Sequence, residues 1–308
     1  MKIWSMLLVY FLTLPLRAAE YWQQDVAYRI SATLDDEKHT LTGVEYLTYT
    51  NHSPDSLHFI WLHLYPNAYR DDRSLYAKEK QAAGSTRFHF SNEEERGYIR
   101  IDGLSIEEQP LRHQEDTDDG TELQVFLPQP LLPNEQITLQ IDFFVKLPII
   151  FSRLGHSGRH YEISQWYPKM VVYDRFGWHP DGYHNVGEFY GEFGTFDVEL
   201  TVPKDLVIAA TGVLISPQEE IEWMDELARE GAVLDSLRAA DSSSARKEIK
   251  KILQLDNRIK SDKVKTVRYV AEKVHDFIWC ADRTFILKRG QYQDAEINIY
   301  VLPKHEAG

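Results

Sequence analysis

The sequence holds a single cysteine, Cys280. No disulfide can close within the chain, so stability has to come from core burial, which 308 residues permit. Cys280 stands in "VHDFIWCADRTF" among apolar neighbours, where a buried, inert thiol is expected rather than a nucleophile. Basic residues are scarce too: 34 Lys plus Arg face 48 Asp plus Glu, a net charge of −14 with His neutral. Phosphate binding needs a basic face, so no nucleic acid partner is expected, and nothing invites an anionic membrane surface. Beyond the N-terminus no apolar run approaches the length of a bilayer-crossing helix, so no membrane span is expected in the mature form. A G-x-S-x-G elbow, a P-loop and a dinucleotide fingerprint are all missing.

The N-terminus "MKIWSMLLVYFLTLPLRAAEYW" has the parts of a secretory signal peptide. Lys2 gives a positive start, Met6 to Leu16 an apolar stretch, and Ala18 and Ala19 small residues for cleavage. A signal peptide over 1–19 and an exported protein, periplasmic or extracellular, are the expectation.

From Tyr21 to about Leu214 the hydrophobic pattern has period two. "VAYRISATL" puts Val26, Tyr28 and Ile30 on one face, "DDEK" turns, and "HTLTGVEYLTYTN" resumes the alternation as a hairpin. "LHFIWLHLYPNAY" is apolar on both faces, as in a doubly buried strand, and its His58 and His63 read as satisfied, partly buried histidines. "RGYIRIDGLSI" follows, then two strands about "LLPNEQ", then two more in "FGTFDVELTVPKDLVIAATGVL". Many short strands with Pro, Asn and Gly punctuation mean a mainly β fold, a sandwich or curved sheet. Asn51-His52-Ser53 matches a glycosylation triplet weakly, with Pro54 next.

At Ser216 the pattern turns helical. Ser216 reads as N-cap, Pro217 as the first helical position and Glu219, three after the cap, as the capping-box acid. Ile221, Met224 and Ala228 keep helical spacing, and "ARKEIKKILQLDNRIK" adds a second helix with Ile249, Ile252 and Leu253 on one side. The stretch of about 216–262 reads as a solvated helical insert. "KTVRYVAEKVHDFIWCADRTF" returns to the sheet, and "EINIYVLP" is a final strand.

His156 with His160, and His179 with His184 near Asp181 and Glu188, raise the question of a metal. Hydrogen-bonded loop histidines are the expectation. The segment Tyr161 to Phe196 carries eleven aromatic residues. They form either a carbohydrate platform or packing at a domain seam, on an ordered loop of the kind that carries function. The chain ends "LPKHEAG", whose His305-Glu306 is the front half of H-E-x-x-H, the helical zinc motif.

"QWYPKMVVYDRFGWHPDGYHNVGEFYGEFGTFDVELTVPKDLVIAATG" resembles the signature stretch of the N-terminal β domain in exported bacterial members of the aminopeptidase N family of zinc metallopeptidases. The opening strands from Tyr21 to Arg70, the closing stretch "TVRYVAEKVHDFIWCADRTF", and "INIYVLP" as the first strand of a following catalytic domain resemble the same family, in the right order. The resemblance implies a saddle-like β domain over 20–285, with the insert inside it, and the start of a truncated α/β catalytic domain over 286–308. It implies zinc in full-length relatives, and peptide N-termini as substrate once a catalytic domain completes the site. The family's amine-gripping segment and complete zinc motif are not found in this sequence, so no cofactor and no peptidase activity are expected of this chain. His305-Glu306 follows the "INIYVLP" strand too closely to be that motif. The family also lends a Gln or Glu to the substrate amine from just before "WYP", and Glu162 and Gln165 are the candidates. The alternative is a non-catalytic exported module that binds carbohydrate or a protein through 161–196.

Overall fold

A computed structural model of the chain describes residues 21–116, 119–240, 242–253 and 261–305. The expected signal peptide at 1–19 and Glu306 lie outside the described residues. The period-two pattern becomes strand as read. Strand β1 (Asp25–Asp35) buries Val26, Tyr28, Ile30, Ala32 and Leu34 and exposes the residues between them. Its hairpin partner β2 (Thr40–Thr50) alternates likewise. β3 (Leu57–His63) stops just before a 3-10 turn, Tyr65–Tyr69, with Pro66 near its start, so "LHFIWLHLYPNAY" is a strand over its first part only.

After helix α1 (Leu75–Ala82), capped by Ser74, come β4 (Tyr98–Ile106), β5 (Gln109–Pro110), β6 (His113–Glu115), β7 (Glu122–Leu131) and β8 (Gln136–Lys146). The aromatic region supplies short strands: β9 (Leu154–Ser157) and β10 (His160–Ile163) lead into β11 (Lys169–Met170), β12 (Tyr173–Asp174) and β13 (Gly177–Trp178). β14 (Gly194–Pro203), β15 (Val207–Ala210) and β16 (Val213–Ser216) follow, three strands where two were expected.

The insert forms α2 (Gln218–Ala240) and α3 (Ser243–Leu253). Its start differs from the capping-box expectation. Ser216 is still strand, paired with Arg268, and the Pro217 carbonyl accepts the first N–H bonds, from Glu220 and Ile221. Glu219 bonds Lys204 at 2.8 Å, which removes it from a capping role. β17 (Val264–Val274), β18 (Trp279–Asp282), β19 (Ile286–Tyr292) and β20 (Ala295–Val301) complete the chain. The "KTVRY…" stretch is therefore two strands, and the last strand has an antiparallel partner that sequence reading passed over.

The large sheet has the order β16-β17-β14-β1-β2-β8-β4-β5, with β1 and β14 parallel and the other neighbours antiparallel. Two four-stranded sheets, β15-β18-β10-β9 and β11-β3-β7-β6, share one core cluster with it. Leu47, Ile141, Phe143 and Val198 of the large sheet join Ile60 and Val125 of one small sheet and Tyr161 and Trp279 of the other. Burying each such side chain contributes about 1.5–3 kcal/mol. Gly43 opposes Phe143 because a Cβ there would fall 2.3 Å from the ring. The β19-β20 hairpin is a sheet of its own, and Leu287 packs with Met224 and Leu227 of α2 in a second cluster. No helix among the described residues is long and apolar enough to cross a membrane.

Candidate functional site

Beyond the end of β10 the chain turns through Ser164 and Gln165. Gln165 adopts φ 55°, a left-handed conformation that few non-glycine residues enter. Bonds on both sides hold it there. Ser164 Oγ donates to the Arg153 carbonyl at 2.7 Å, and Trp166 Nε1 donates to the Phe277 carbonyl at 3.1 Å.

The segment between β17 and β18 forms the facing wall. Its Asp276 carboxylate collects three donors: Gln165 Nε2, the Tyr167 hydroxyl at 2.8 Å and the Phe277 N–H at 2.9 Å. Lys169 Nζ stands 3.8 Å from Asp276 Oδ2, beyond hydrogen-bond reach, and has no hydrogen-bond partner among the described residues. Burial pulls the Lys169 pKa down against the attraction of Asp276. The Gln165 Oε1 is also buried without a partner, a condition that costs about 1–3 kcal/mol when no ligand relieves it.

A cleft of about 870 Å³ opens along these walls, lined by Gln165, Asp276, Glu162 and His160 together with Phe193 and Tyr300. Glu162 lies on β10 with its side chain 43% exposed. His160 Nε2 is 3.4 Å from Glu162 Oε1, and its Nδ1 is 3.0 Å from Asp282 Oδ2. The Asp282 bond raises the His160 pKa, opposed by burial and helped by Glu162. The part-exposed Glu162 carboxylate, with a Gln165 side chain in the wall whose shielded amide oxygen has no partner among the described residues, suits a cationic, donor-rich ligand. Arg153 and Lys273 line it as well.

A second polar row lies behind. His63 is paired in register with Lys169 on one side and Glu122 on the other. Burial, with the Lys169 charge, drives the His63 pKa down to about 3, and its Nδ1 has no partner. Burial pushes Glu122 up to about 8, although the Thr121 hydroxyl donates to it at 2.8 Å.

These placements correct several expectations. His58 is exposed, and His63 is buried but not satisfied, because its place on β3 leaves Nδ1 without a hydrogen-bond partner among the described residues. Cys280 is half-buried on the cleft, not enclosed, since β18 forms part of the wall; burial still raises its thiol pKa. Asn51 is fully buried and donates to the Asp55 and Leu131 carbonyls, so the triplet is shielded from a glycan. His179 meets Asp174 and His184 meets Glu79 as expected, whereas His156 stacks on His39 at 3.6 Å and its Nδ1 has no partner among the described residues. Among the described residues no three His, Cys, Asp or Glu could hold a metal ion, and His305 stands in a 3-10 turn. These residues do not fit a zinc site.

The aromatics divide. Tyr161, Trp166, Tyr167, Tyr183 and Phe196 are core, while Phe176, Tyr190 and Phe193 are exposed. Sequence reading missed Asp276, which lies 111 residues from Gln165, and only tertiary pairing reveals it.

Solved M1 zinc metallopeptidases are similar in structure. A two-domain point mutant bound to L-tryptophan is 14% identical, with a TM-score of 0.44 over 90% of this chain and 47% of that one. The Deinococcus radiodurans enzyme mutated and bound to a Tyr-Ser-Ala substrate gives 14%, 0.44, 90% and 46%. The same organism's enzyme gives 13%, 0.42, 90% and 46%. The chain thus spans about half the length of the structures it matches. No family model and no curated protein matches it.

Proposed function

We propose that this chain is the substrate-side β domain of an aminopeptidase N-like zinc metallopeptidase, exported by its N-terminal segment, and that its cleft receives the amino terminus of a peptide. The observation that carries the reading is the Gln165 Oε1, buried without a partner on the same cleft as the Glu162 carboxylate. An α-ammonium offers the donors and the charge that this pair lacks. The sequence resemblance supports the same assignment, with hydrolysis belonging to a zinc centre that the described residues do not build.

The test is a titration of the 308-residue chain with phenylalaninamide and with its N-acetyl derivative, which keeps the ring and removes the charge. The amine is expected to bind more tightly, and Glu162→Gln to narrow the difference. Equal binding of both compounds refutes the reading. Zinc analysis and an assay for released N-terminal residues are expected to give neither metal at one per chain nor activity.

A further inference from the structure

Three consecutive residues reach two consecutive residues of the segment between β17 and β18; of the five, Gln165 and Asp276 line the cleft and the others are buried behind it. Gln165 and Tyr167 bond the Asp276 carboxylate, and Trp166 bonds the Phe277 carbonyl. The indole bond locks the backbone of the turn, and the tyrosine bond locks the carboxylate. What remains adjustable is the Gln165 amide, which can rotate to exchange its oxygen and nitrogen. A carboxylate only accepts hydrogen bonds, so the face of the amide toward Asp276 has to be the NH₂. The oxygen is left as the one side-chain acceptor Gln165 has to offer, and no group among the described residues uses it.

Resting on the amine-receiving reading above, we propose that Asp276 is a positioning residue: it holds the Gln165 amide with its oxygen presented to the ligand's ammonium. Without it, the amide is free to turn its NH₂ toward the ligand, which opposes a cation. Asp276 itself need not touch the ligand, because its carboxylate is occupied by three protein donors.

The experiment uses the full chain with two readouts. In the native protein, the side-chain NH₂ of Gln165, seen by ¹⁵N NMR, is expected to exchange with solvent far more slowly than a free glutamine, before and after phenylalaninamide is added. Exchange at the free rate overturns the proposal, and this measurement needs no variant. In Asp276→Asn, whose amide can both donate and accept, the preference for phenylalaninamide over its acetylated form is expected to fall about tenfold. Faster exchange at Gln165 should accompany it, which a merely structural loss of packing would not produce selectively. If the native chain prefers the amine and Asp276→Asn keeps that preference, the positioning role fails and the amine-receiving reading stands. If the native chain shows no preference, both fail. If the variant does not fold, the exchange rate in the native chain decides.

Discussion

Glu220 at the start of α2 and Lys265 on β17 meet at 2.6 Å with side chains only 6% and 7% exposed. Burial shifts both toward neutrality: it raises Glu220 and lowers Lys265, and their mutual attraction only opposes these shifts. Desolvation therefore outweighs the ion pair, although the pair ties the helical insert to the large sheet. Glu220→Ala leaves a buried ammonium unpaired and is expected to destabilise the fold by about 3–5 kcal/mol. Glu220→Leu with Lys265→Met, which keeps contact with the Trp223 ring now 4.2 Å from Nζ, should be neutral or stabilising. Denaturant melts of the three proteins check the order, and a double variant as weak as the single one contradicts it.

Gly231 sets two effects of opposite sign against each other. Inside a helix, Gly→Ala stabilises by about 1 kcal/mol on propensity alone. A Cβ on Gly231, however, would lie 2.0 Å from the Leu287 carbonyl oxygen, on backbone that cannot swing aside. Gly231→Ala is expected to lower stability by about 1–3 kcal/mol as α2 is pushed from β19. A rise in melting temperature would show that this close approach does not exist in solution.

Stability should fall on the alkaline side of neutrality. Burial raises Glu122 to about 8 and Glu192 to about 7, from an ordinary 4.5, so the folded chain holds protons there that the unfolded chain has lost. Each such proton costs about 1.4 kcal/mol per pH unit as pH rises between the two values. His63 and His156, lowered to about 3 and about 4 from 6.5, act on the other side. Below pH 6.5 the unfolded chain binds protons they refuse, which destabilises the fold as pH falls. The carboxyls offset this between 4.5 and 6.5, so above 6.5 the decline from Glu122 and Glu192 is no longer opposed by these two histidines, and His160, raised in the fold, adds to it. Glu122→Gln is expected to flatten it, and an unchanged slope in urea melts at pH 6.5, 7.25 and 8 would contradict the assignment.

The long strands were legible because a side-chain period of two writes burial directly into the letters, as in β1 and β2. β19 was not: "ILKRGQY" buries only Ile286 and Leu287, then runs exposed, so it leaves no alternation to read. The insert's helices were legible from spacing, yet Ser216 stayed in the sheet because pairing with Arg268 outcompeted a local cap. Glu162 and Gln165 both face the cleft, but what gives Gln165 its orientation comes from Asp276, and no local pattern encodes a partner so distant.

The Asp282–His160–Glu162 line yields the most direct measurement. Asp282 at 3.0 Å does most to raise the His160 pKa, and Glu162 at 3.4 Å adds less. Against the upward push of burial, the bonds from His160 and Thr284 bring Asp282 below its ordinary value, as a partner in an ion pair requires. Because His160 is raised in the fold, its contribution to stability is complete below about pH 6.5 and is lost as pH rises through the folded value. Asp282→Asn removes the larger cause while burial remains, so the His160 pKa should drop. Glu162→Gln should lower it by less. Ring signals of His160 followed by NMR across pH give all three values. A larger shift in Glu162→Gln than in Asp282→Asn would mean that the histidine is held from the cleft side. The carboxylate of Glu162 would then be engaged with His160 instead of open to an ammonium ligand.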